Sequence, residues 1–66
     1  MKIELNGKNT HIPDNATIDV LLESMGYKDQ RVAVEVNQQV IPRGEHISFI
    51  LSASDKVEII HAVGGG

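Results

Sequence analysis

Three histidines, nine acids, six bases and a closing run of glycines hold all the chemical potential of this 66-residue sequence, which has no cysteine. His11, His46 and His61 are far apart in the chain and lack close ligand spacing, and no thiolate can join them. A structural metal site is therefore not expected. No G-x-S-x-G elbow surrounds a serine, and no G-x-x-x-x-G-K-[ST] phosphate loop occurs. The acids form no evident general acid and base pair and read as solvated surface. His61 reads as a satisfied strand residue rather than a catalyst. The ending, Gly64-Gly65-Gly66, is what remains. No helix follows it, so it cannot cradle an anion at a helix N-terminus. Its plain reading is a frayed terminus or a linker. Its chemical reading is a thin arm with an unhindered carboxylate on Gly66. Residues without a Cβ enter passages that exclude any side chain, and three extended residues reach about 10 Å. The glycines follow directly on the apolar run Ile59-Ile60-His61-Ala62-Val63, with no serine or charge between. Such an arm suits delivery of a reactive carboxyl group into another protein's active site.

The composition narrows the alternatives. A chain of 66 residues allows one domain. A domain of that size buries only about 60% of the surface its unfolded chain exposes. With 41% hydrophobic residues and no cysteine, it must fold without disulfides. Little room is left for both a core and a walled pocket, which favours a carrier or binding module over an enzyme. The net charge of −3 and the scattered bases Lys2, Lys8, Lys28, Arg31, Arg43 and Lys56 give no positive stripe for nucleic acid. Apolar runs are three residues long at most, as in Val20-Leu21-Leu22, against the ~20 needed to span a membrane. The start MKIELNG places an acid inside any would-be signal core, so no export signal is expected and a cytoplasmic location follows.

The arm needs a platform, and the periodicity supplies one. Met1 to Asn6 alternates, with Ile3 and Leu5 on one face. Asn6-Gly7 is the dipeptide of a tight hairpin turn, and Lys8 to Ile12 returns, stopped by Pro13. Thr17 then caps a helix whose stripe is Ile18, Leu21, Leu22 and Met25; Asp19 suits its first turn and Gly26 its stop. Arg31 to Asn37 alternates Val32, Val34 and Val36 against Ala33 and Glu35, a strand. Val40 to Gly44, with Pro42 and Gly44, reads as a loop with at most a short extended piece. His46 to Leu51 fits a short strand or a 3₁₀ turn equally well. Ser52 to Asp55 reads as a turn, and Lys56 to Val63 as the last strand, with Val57, Ile59, His61 and Val63 on one face. Strands gathered around one helix give an α+β fold with the helix on one face of the sheet. Residues 1–63 form the single domain, and residues 64–66 a flexible tail. If Val57 and Ile59 are core, Ile60 is an exposed apolar residue among charges near the tail. Single exposed hydrophobes are common, so Ile60 is either incidental or a contact for whatever receives the arm.

Several stretches together resemble a family. The Asn6-Gly7 hairpin, the Thr17-capped helix, Val32-Ala33-Val34-Glu35-Val36-Asn37, the segment Asn37-Gln38-Gln39-Val40-Ile41-Pro42-Arg43 and Asp55-Lys56-Val57-Glu58-Ile59-Ile60 through the glycines look like the small sulfur carriers of the ubiquitin-like β-grasp fold. The likeness is strongest to the thiamine sulfur carriers, the ThiS family, and covers nearly the whole chain. It implies a mixed sheet of four to five strands on one helix, with the last strand parallel to the first. It also implies that a ThiF-like adenylating enzyme uses ATP and Mg²⁺ to convert the Gly66 carboxylate into an acyl adenylate. Sulfur from a cysteine-desulfurase persulfide or another source then yields a thiocarboxylate, which thiazole synthase consumes. ATP belongs to the partner, so no cofactor is bound by this chain. Ile60, Ala62 and Val63 are the implied partner contacts, with Gly64 as spacer and Gly65-Gly66 as the motif; the free chain is expected to be a monomer. Ser54 departs from the family, which often has Gly before the Asp of the last turn. The same chemistry serves the small subunit of molybdopterin synthase, whose chains are usually longer. A protein modifier forming isopeptide bonds through Gly66, or a binding module with an inert tail, are the other readings.

Overall fold

The computed structural model describes residues 1–61. The expectations for Ala62, Val63 and the glycine tail lie outside the described residues.

The first hairpin forms as its turn dipeptide dictates. Strands β1 (Lys2–Leu5) and β2 (Lys8–His11) pair antiparallel. Between them Asn6 and Gly7 sit at φ 48° and 83°, the left-handed pair of a two-residue turn that matches strand twist. Helix α1 (Ile18–Ser24) opens on Thr17, whose hydroxyl accepts from Val20 N at 3.2 Å. It closes where Gly26 takes φ 77°. There the amides of Gly26 and Tyr27 turn back to the carbonyls of Glu23 and Leu22 at 3.0 and 2.8 Å, a double bond-back that satisfies orphan carbonyls. Ile18, Leu21 and Leu22 are buried, as the helical spacing requires.

Strand β3 (Val32–Val36) then pairs antiparallel with β4 (Gln39–Ile41) and with β5 (Lys56–His61). β5 also pairs parallel with β1 through Glu4↔Lys56 and Leu5↔Val57. The sheet order is β2-β1-β5-β3-β4. Ile3 and Leu5 of β1, Val34 and Val36 of β3, and Val57 and Ile59 of β5 are buried with the apolar stripe of α1. Ile12, Ala16, Ile41 and Leu51 complete the core.

Two connections take a form that the sequence reading left open. The short extended piece allowed for at the start of Val40 to Gly44 is the edge strand β4, which begins one residue earlier at Gln39, because Asn37 and Gln38 both adopt positive φ, 52° and 70°, and fold it back onto β3. A 3₁₀ turn follows at Arg43–Glu45. Between His46 and Leu51 there is neither a named strand nor a 3₁₀ helix; Ile50 makes one isolated bridge to Thr17. That segment serves the helix N-terminus. Ile18 N donates to Phe49 O at 3.1 Å and Asp19 N to His46 O at 2.9 Å, and with the Thr17 hydroxyl on Val20 N the first-turn amides gain partners. Ala16 O accepts from Leu51 N at 2.8 Å, which locks the crossing.

The turn before β5 forms as expected. Asp55 accepts from Ser52 N through Oδ2 at 2.8 Å and from the Asn37 amide through Oδ1 at 3.0 Å. Ser54 lies at φ 70°, a region where a Cβ is strained. Glycine, which the family resemblance implies at this place, would remove that strain. Ser54→Gly is expected to stabilise the fold by roughly 0.5–1 kcal/mol once the larger unfolded-state entropy of glycine is subtracted. Thermal unfolding should show Tm rising by roughly 2–8 °C; a fall would mean that the Ser54 side chain contributes more than its backbone strain costs.

Candidate functional site

β5 is the element that carries the candidate site. It lies between β1 and β3, so its position is fixed on both sides at its start. Successive side chains on a strand alternate faces. Val57 and Ile59 are buried, while Ile60 is 49% exposed on the outer face of the sheet with Lys56 and Glu58. The ladder register identifies the neighbours of Ile60. Ala33 is directly opposite it on β3, Glu35 is opposite Glu58, and Val40 on β4 is opposite Glu35. Val40 is 62% exposed. The outer face therefore carries Val40, Ala33 and Ile60 among Glu35 and Glu58, with Glu4 and Lys2 of β1 beside them.

That surface is poorly optimised for the free chain. Two carboxylates directly opposite on neighbouring strands destabilise a sheet. The ion pairs among the described residues are the Met1 ammonium with Asp14 at 2.9 Å and Lys28 with Glu23 at 3.9 Å, so neither Glu35 nor Glu58 has a cation within salt-bridge distance there. Exposed β-branched side chains flanked by uncompensated acids suit contact with a partner that brings apolar area and positive charge.

Of the sequence-derived site residues, Ile60 is on this face. Ala62, Val63, Gly64, Gly65 and Gly66 lie outside the described residues. Sequence reasoning does not single out Val40, in a loop with at most a short extended piece, or Ala33, whose place opposite Ile60 depends on a register that one strand's periodicity does not reveal. The histidines stay apart. His46 is buried with Nε2 3.1 Å from Ile41 O, His11 ends β2, and His61 ends β5. Among the described residues no three His, Cys, Asp or Glu side chains gather as metal ligands. No helix there is long and apolar enough to cross a membrane. A depression of about 210 Å³ between α1 and the 3₁₀ turn, lined by Lys28, Gln30, Arg43 and Ile47 among others, is smaller than the ~300–1,000 Å³ typical of small-molecule sites. What these residues offer a partner is a face of the sheet.

One helix held in a mixed five-strand sheet, with the last strand parallel to the first, is the ubiquitin-like β-grasp. The chain belongs to the ThiS family, whose model matches residues 2–66. It is 37% identical over 65 residues to the sulfur carrier protein ThiS of Bacillus subtilis, covering 97% of this chain and 98% of that one. It is 38% identical over 66 residues to a thiazole synthase of Magnetococcus marinus, covering all of this chain but only 20% of that protein; the chain thus spans a fifth of that relative. The crystal structure of the thiamine biosynthesis protein ThiS from Geobacter metallireducens superposes with a TM-score of 0.86 at 26% identity and covers 100% of both chains.

Proposed function

We propose that this chain is a sulfur carrier for thiazole formation in thiamine biosynthesis, acting as a co-substrate in the cytoplasm rather than as an enzyme. The observation that carries this reading is the family match running through Gly65 and Gly66. Near full-length identity to a protein called a sulfur carrier supports it. Identity to one segment of a thiazole synthase supports thiazole synthase as the acceptor.

The chemistry follows from the weakness of a carboxylate as an electrophile. In the proposed sequence a ThiF-like enzyme, holding ATP and Mg²⁺, lets the Gly66 carboxylate attack the α-phosphorus and expel pyrophosphate. The acyl adenylate now has a good leaving group. A persulfide sulfur, from a cysteine desulfurase or an equivalent source, attacks the carbonyl carbon and displaces AMP. A thiol then cleaves the resulting S–S bond, supplying the two electrons, and leaves sulfur on the Gly66 carbon as a thiocarboxylate. The absence of cysteine from the chain removes any internal thiol that could intercept the activated terminus. In this reading Ile60, Ala62 and Val63 contact the enzymes that receive the arm.

Intact mass tests the reading. After incubation with ATP, the adenylating partner and a persulfide source, the protein is expected to gain the difference between one sulfur and one oxygen, localised to Gly66 by fragmentation. An unchanged mass beside an active partner would sink the carrier reading. Adducts on lysines of other proteins would point to a modifier. Consumption of the thiocarboxylate by thiazole synthase, and not by the large subunit of molybdopterin synthase, is the expected second result.

A further inference from the structure

The final described turn of β5 has a hold that the reaction outlined above does not use. Up to Ile59 the strand is supported on both sides. Asn6 N donates to Val57 O at 2.9 Å, and the Asn6 side chain continues that edge by accepting from Ile59 N at 2.8 Å. There β1 has already turned away at Asn6-Gly7. Ile60 and His61 keep ladder partners on the β3 side alone, Ala33 and Val32. A strand end paired on one side frays easily.

His61 meets that weakness with its side chain. Its ring sits edge-to-face on Tyr27, centroids 4.5 Å apart and planes at 83°. Its Nε2 lies 3.0 Å from Gln30 Oε1, an oxygen that only accepts, so the bond uses the tautomer with the proton on Nε2. Tyr27 in turn packs against the core, and Gln30 N is fixed to Tyr27 O at 3.0 Å. The connection between α1 and β3 therefore grips the strand at its last described residue.

We propose that His61, with Tyr27 and Gln30, is a positioning residue that holds the Ile60–His61 end of β5 on the sheet for productive docking with the adenylating partner. The inference rests on the carrier reading for its functional consequence. The clamp keeps Ile60 and His61 in the docking-competent strand conformation, so a larger fraction of encounters is productive. Losing it lowers that fraction and raises the apparent dissociation constant in proportion. The aromatic contact and the hydrogen bond both contribute, the ring contact more because it is anchored through Tyr27 to the core.

The test compares His61→Ala, His61→Phe and Gln30→Ala with the parent chain. Steady-state formation of the thiocarboxylate is measured against carrier concentration. The ¹⁵N heteronuclear NOE of Ile60 and His61 is measured on the free proteins. His61→Ala is expected to lose about three- to tenfold in kcat/KM, the worth of one aromatic pair with its hydrogen bond, carried mainly by KM. Its NOE at His61 should fall while Tm moves little. His61→Phe should keep the NOE and return to within about twofold of the parent, and Gln30→Ala should fall between. The proposal is overturned if His61→Ala keeps the parent NOE and kcat/KM, if Phe is as impaired as Ala, or if the loss falls on kcat alone. Should the parent chain itself fail to load sulfur, the carrier reading falls, and the NOE comparison still decides whether the clamp exists.

Discussion

Removing Gly66 is expected to reduce sulfur loading by at least about 100-fold, because a misplacement of only 1 Å at a reacting centre already costs about that much. The shortened chain still ends in two glycines, Gly64-Gly65, so the end keeps its slimness and its carboxylate. What it loses is reach, about 3.5 Å per extended residue. Adenylation needs the carboxylate oxygen within about 3–3.5 Å of the α-phosphorus in line with its leaving group, and a one-residue deficit exceeds that tolerance. Folding should be unaffected. The buried apolar residues described run from Ile3 to Ile59, and the described ladder rungs of β5 reach His61, five residues before Gly66. The prediction is checked by quantifying thiocarboxylate by mass alongside a thermal melt. Loading within a few-fold of the parent would show that the three glycines contain slack and that Gly64 is not needed as spacer. Gly66→Ala isolates the other variable, since it keeps the reach and adds one Cβ at the reacting carbon.

The elements whose signals are local were legible in the sequence. Asn6-Gly7, Thr17, Gly26 and the alternation of Val32, Val34 and Val36 each state a backbone preference within a few residues, and each forms as stated. The parallel β1–β5 pairing came from the family likeness. What escaped is whatever depends on distant partners. β4 showed at most as a short extended piece because Pro42 and Gly44 mark a loop and because Gln38 at φ 70° is an unusual residue for a left-handed turn position. The residues from His46 to Leu51 show no clean period because they obey two demands. Leu51 must enter the core, and the carbonyls of His46 and Phe49 must meet the first amides of α1. Meeting those amides leaves Ile47 and Ile50 exposed, which strand alternation would put on opposite faces. The candidate site divides in the same way. The exposed position of Ile60 followed from strand alternation alone. Its neighbours Ala33 and Val40 needed the register, and the clamp on His61 needed the path of the α1–β3 connection.

Ile60→Asp should separate binding from folding more cleanly than any other single change on this face. In the free chain Ile60 is about half exposed, at 49%, so an aspartate keeps its hydration. It gives up β-propensity and some packing on Ala33, for a cost of roughly 1 kcal/mol or less. Glu58 and Glu35 are already close on the same face, and a third negative charge adds a few tenths of a kcal/mol that salt screens. In a complex the balance reverses. The partner surface that covered an apolar side chain would have to desolvate a carboxylate, and central interface positions of this kind cost about 2 kcal/mol or more, some 30-fold in affinity. Ile60→Thr, which keeps the β-branch and adds no charge, should fall between the two. Titration calorimetry against the adenylating enzyme, with melts of each variant, gives both quantities. Unchanged affinity for Ile60→Asp would move the contact off this face. A Tm loss as large as a core truncation would mean that Ile60 supports the sheet rather than the complex. If Glu35 and Glu58 meet positive charge across the interface, the parent affinity should also weaken as salt is raised, and the affinity gap between Ile60→Thr and the parent, which involves no charge, should not.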